Sequence, residues 1–94
     1  MTQSVLAFTP NGGEIEIQRV FYKSGQKALV LVGEVVKGPI ETNDTLEING
    51  QSFTTKGMQV GGTPTELANS REVVGIQLNA KPKHMHHLGI QVEF

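Results

Sequence analysis

A chain of 94 residues, 37% hydrophobic and 5% aromatic, has material for one small core of Val, Ile and Leu rather than a large aromatic one. Its formal charge of -1 argues against strong nonspecific gripping of nucleic-acid backbone and leaves room only for a local basic patch. There is no cysteine, which excludes disulfide and thiolate chemistry, and no apolar stretch approaches the ~20 residues of a membrane span.

Met1 to Gly13 reads as a leader, in which Val5 to Phe8 either pairs as an edge strand or is disordered. No basic region followed by an apolar one opens the chain, so no secretory signal is read and a cytoplasmic location is expected. Thr9-Pro10-Asn11-Gly12-Gly13 breaks the chain, and residues 14 to 94 read as a single domain. In Glu14 to Tyr22, Ile15 and Ile17 alternate with Glu14, Glu16 and Gln18, the mark of a half-buried strand. The alternation slips near Arg19, as at a bulge.

A turn at Lys23-Ser24-Gly25-Gln26 leads into Ala28 to Val36, an apolar strand interrupted by Gly33. Lys37-Gly38-Pro39 turns the chain, with Ile40 as a lone apolar anchor, and Asn43-Asp44 turns it again. Leu46 and Ile48 then point one way and Thr45 and Glu47 the other. Asn49-Gly50 is a hairpin signal, after which Ser52 to Val60 changes parity across Gly57, implying another bulge.

Gly61 to Thr65 reads as a loop and Thr65 to Asn69 as one short helical turn. Arg71 to Asn79 is a strand with Val74, Ile76 and Leu78 on one face. Ala80 to His87 reads as a polar connection, and the alternating Leu88 to Phe94 as the closing strand. Short strands at this spacing predict an all-β fold, a small closed antiparallel barrel of six to seven strands.

The order of Ile17-Gln18-Arg19-Val20-Phe21, Ser24-Gly25, Val30, Gly33-Glu34-Val35, Gly38-Pro39-Ile40 and Asn43-Asp44-Thr45-Leu46-Glu47-Ile48 resembles the second domain of the translational GTPases. That is the β-barrel of elongation factor Tu and its relatives. Arg71 to Leu78 and Leu88-Gly89-Ile90-Gln91-Val92 are similar to later strands of the same domain, so the resemblance runs from about Glu14 to Phe94. It implies that Gly33 bends a long strand, that Ile40 plugs one barrel end, and that Gly75 sits where two backbones approach. The family's acidic pair before V-F is replaced by Gln18-Arg19, and a threonine of the central strand by Leu31, so the aminoacyl pocket is not carried over. In other members basic side chains face ribosomal RNA, which points to Arg19, Lys23, Lys27 and Lys37 as phosphate contacts. No G-x-x-x-x-G-K-[ST] phosphate loop is present, so no direct nucleotide binding is expected.

Lys81-Pro82-Lys83-His84-Met85-His86-His87 is the most unusual composition. Lys81, Lys83 and His84 form a candidate anion site, against a plain solvated loop. On an extended segment His84 and His86 share a face, but two imidazoles fall short of the three or four ligands of a stable metal site. No metal or other cofactor is assigned, and no acid, base or nucleophile sits in a catalytic pattern. The expectation is a noncatalytic binding module that docks on ribosomal or transfer RNA, or on a translation-related protein. Its alternative is a protein-interaction or assembly domain, homo-oligomeric or with another partner, that has lost RNA binding.

Overall fold

The computed structural model describes residues 5–25 and 27–93. The strands are β1 (Val5–Phe8), β2 (Glu14–Lys23), β3 (Ala28–Lys37), β4 (Ile40–Glu41), β5 (Thr45–Ile48), β6 (Gln51–Val60), β7 (Thr63–Thr65), β8 (Leu67–Ala68) and β9 (Val73–Leu78), followed by helix α1 (Pro82–His87). Antiparallel pairing runs β5-β1-β2-β3-β9-β6, and β5 pairs with β6 to close the ring. The result is the expected all-β fold, a small closed six-stranded antiparallel barrel. β7 lies outside the ring along β6, and β4 and β8 form a separate short pair.

Alternation fills the interior. Leu29, Leu31 and Val35 of β3, Val74, Ile76 and Leu78 of β9, and Leu46 and Ile48 of β5 are all buried. Among the described residues the ladder shifts register at three places: one leaves Val36 of β3 unpaired, and the other two fall where the parity of the sequence slips. Ile17 pairs with Gly33 and Arg19 with Val32, so Gln18 is the extra residue of β2. Thr55 pairs with Leu78 and Gly57 with Gln77, so Lys56 is the extra residue of β6. A Cβ on Gly33 would sit 2.5 Å from the Glu16 carbonyl oxygen and 2.7 Å from Ile15 Cγ2, so only glycine lets β2 and β3 come this close. Gly75 differs from the expectation: its Cβ would meet only Val30 Cγ1, at 4.0 Å, so no backbone presses on it. Asn49 and Gly50, at φ 49° and 86°, make the tight hairpin that sets Ile48 opposite Gln51.

The ends of the chain differ most from the sequence expectation. Val5–Phe8 is no edge: it pairs with β2 on one side and β5 on the other, and so closes the barrel. Residues 1–4 of the expected leader, Gln26 of the expected turn and Phe94 of the expected closing strand lie outside the described residues.

Residues 82–87, expected as a loop, are helical. Pro82 stands in the first turn, where its missing N–H is not needed. Gly89, at φ 76°, ends the helix: its N–H bonds to His86 and that of Ile90 to Met85, with Met85 and Ile90 both buried. Leu88 to Val92 therefore cannot join the ladder as a strand. Of the described residues of this segment only Glu93 bridges β2, in parallel, with its N–H on the Val20 carbonyl at 2.9 Å and its carbonyl taking the Tyr22 N–H at 2.8 Å. The helical turn expected over residues 65–69 is likewise replaced by the ends of β7 and β8.

Candidate nucleic-acid interface

The bulge at Gln18 decides which side chains β2 shows to solvent. Glu14 and Glu16 point out before it, and strict alternation would then turn Val20 and Tyr22 outward. The extra residue shifts the phase, so Val20 is buried and Arg19, Phe21 and Lys23 face out instead. The Arg19 guanidinium carbon lies 5.8 Å from the Phe21 ring centroid, and Lys23 Nζ also lies 5.8 Å from it. Lys27, exposed and at φ 50°, follows the turn just past Lys23, and its N–H bonds to the Ser24 carbonyl at 3.2 Å. Arg19 and Lys23 thus flank one aromatic ring, and Lys27 stands at the adjoining hairpin turn.

Lys37 does not join them. It pairs with Glu14 at the far end of β2, roughly 30 Å of extended strand away from Lys23. Nor is Arg19 an unpaired cation. Its Nε donates to Glu93 Oε2 at 2.9 Å, and its second nitrogen to Oε1 at 3.1 Å. That hydrogen bonding, with the charge attraction, holds the Glu93 carboxyl below its usual range and raises the Arg19 guanidinium further. Of these four basic residues, Lys23 and Lys27 are the exposed cations at this end of β2 that no ion pair engages among the described residues.

Beside this cluster the outer wall carries two cross-strand rows. One runs Phe21, Val30, Gln77, Gly57; the other Arg19, Val32, Gly75, Gln59, Pro64. Gly57 and Gly75 leave gaps in the rows, and a groove of about 210 Å³ forms there, lined by Val30, both glycines, Gln59, Gln77 and Pro64, with Lys23 at its rim. The bulge expected across Gly57 is present, whereas the close approach expected at Gly75 is not. Their alignment beside Gln77 and Gln59 depends on strand register, which carries no local signal.

The candidate anion site is spread over α1. His84 Nδ1 accepts the Lys81 N–H at 3.0 Å, so this imidazole caps the helix, and its ring stands edge-on to Phe53 at 6.4 Å. Lys81 and Lys83 are exposed. His84 and His86, expected on one face of an extended segment, are turned about 200° apart by the helix. Among the described residues no three His, Asp or Glu side chains are gathered for a metal.

No protein-family model matches the chain, and no curated protein matches its sequence. What the fold and surface define is a small six-stranded antiparallel barrel with an extra outside strand.

Proposed function

We propose that this barrel is a noncatalytic binding module that docks on RNA, alone or within a ribonucleoprotein, through the second half of β2 and the adjoining groove. The observation that carries the reading is the Phe21 ring flanked on its outer face by Arg19 and Lys23, with Lys27 at the same hairpin. Lys23 and Lys27 supply phosphate contacts, which position a strand without reading its sequence. Arg19, its charge engaged by Glu93, offers a fixed guanidinium plane rather than a mobile cation. The side-chain-free floor at Gly57 and Gly75 admits a flat group, and the Gln59 and Gln77 amides offer it donors and acceptors. The order of glycine and turn motifs, which resembles the second domain of the translational GTPases, supports the same reading.

The test is a filter-binding titration of the full chain with structured RNA against salt. Saturable binding that weakens as salt rises supports the reading, since released counterions drive phosphate contacts. No saturable binding at low salt rejects it.

A further inference from the structure

The first half of β2 presents the opposite chemistry. Ahead of the bulge, one outward row crosses Lys37, Glu14, Phe8, Glu47 and Ser52, and the next crosses Glu34, Glu16 and Leu6. Phe8 is 42% exposed, a large aromatic side chain left in water at the centre of this face. It lines a cleft of about 210 Å³ with Thr9, Pro10, Thr45, Glu47 and Ser52. Glu16 stands directly opposite Glu34, and like charges so placed destabilise a strand pair. Lys37 is the one cation in these rows, and among the described residues no ion pair engages Glu14, Glu16, Glu34 or Glu47.

We propose that this face docks a basic polypeptide segment of a partner protein, with an Arg or Lys side chain seated in the cleft against the Phe8 ring, its charge beside Glu47 and Glu14 adding its negative charge from across the ring. The aromatic ring is what selects this occupant. Glu14 and Glu47 lie on either side of Phe8, so the ring stands where a bare metal ion would need converging oxygens. A guanidinium or ammonium gains from ring and carboxylates together. The carboxylates repel RNA phosphate, so the surface is separate from the Phe21 face and stands whether or not that face binds RNA.

The experiment titrates the isotope-labelled full chain with a short peptide of alternating Gly and Arg at low salt, following backbone amide shifts. Saturable shifts at Phe8, Glu14, Glu47 and Ser52 are expected, and none with the matching Gly and Glu peptide. Phe8→Leu keeps the strand apolar and removes the ring, and should weaken the affinity about threefold. Glu47→Gln should weaken it by a similar factor, with melting temperatures of both variants near that of the parent. Neither substitution should alter an RNA titration followed at Lys23 and Lys27, so failure on one face is distinguishable from failure on the other. Shifts scattered over every carboxylate and unchanged by Phe8→Leu would overturn the proposal. So would concentration-dependent self-association through the cleft in light scattering, because the occupant would then be a second copy.

Discussion

Arg19 and Glu93, 74 positions apart in the chain, are tied by two parallel hydrogen bonds of 2.9 and 3.1 Å. The pair fastens the end of the chain to the stretch of β2 that β1 does not reach, since β1 pairs only with residues 14–17 of that strand. It also engages a guanidinium that the family resemblance points toward phosphate. Both partners are exposed, so the effect expected is local order rather than global stability.

Glu93 is the titrating partner. Its carboxyl is held below its ordinary value of 4.5, so what the pair contributes is present above that pH and fades as pH falls through the lowered value. Hydrogen exchange at the Tyr22 amide, bonded to the Glu93 carbonyl, should accelerate in that acid range beyond the intrinsic rate. Glu93→Gln should give the same loss of protection at neutral pH and leave the melting temperature nearly unchanged. Equal protection in parent and variant would show that the backbone bridge holds without the ion pair.

Two strand glycines should behave oppositely. Gly33→Ala drives a methyl group onto the Glu16 carbonyl and is expected to destabilise by about 1–3 kcal/mol. Gly75→Ala meets nothing closer than 4.0 Å and should lie within about 0.5 kcal/mol of the parent in urea unfolding. Gly75→Ala should nevertheless weaken RNA binding if the groove is used, because the methyl group enters it.

The bulge residue separates identity from presence. Gln18 is exposed, so Gln18→Ala should change stability by no more than about 0.5 kcal/mol. Deleting Gln18 forces β2 back to strict alternation, setting its two halves in conflict over which face is buried. Circular dichroism should then report loss of the cooperative transition.

Gly89 ends α1 at a positive φ of 76°, so Gly89→Ala is expected to destabilise by about 1–2 kcal/mol in thermal or urea melts. A neutral result would mean that Leu88 to Val92 is free to run as an extended strand.

For the Phe21 face, two lysine contacts to a single-stranded loop of the structured RNA predict a slope of log K against log salt of roughly -1.4. Lys23→Ala and Lys27→Ala should each reduce it by about half, measured by filter binding across a salt series. Lys37→Ala should leave it unchanged, because that residue stands at the other end of β2.

The sequence by itself determined the barrel wall. The alternation of Leu46 and Ile48 with Thr45 and Glu47, the phase slips near Arg19 and Gly57, and the Asn49-Gly50 hairpin are local, because side-chain period and turn chemistry act over a few residues. A helix signal was also present at the far end, in Pro82 and Gly89, but the alternating apolar pattern of Leu88 to Phe94 masked it. Ile90 and Val92 are buried as that alternation implied, yet outside any strand.

Only the tertiary structure decided how the ring closes and what each face carries. β1 rather than the C-terminal segment shuts the barrel, because closure depends on which edges are left open once all the other strands have paired. Cross-strand register then set Glu14 and Glu47 beside Phe8, laid Val30, Gln77 and Gly57 in one row with Phe21, and paired Lys37 with Glu14, away from the other cations. Such neighbours are far apart in the chain, and no short window of residues records who will stand opposite whom.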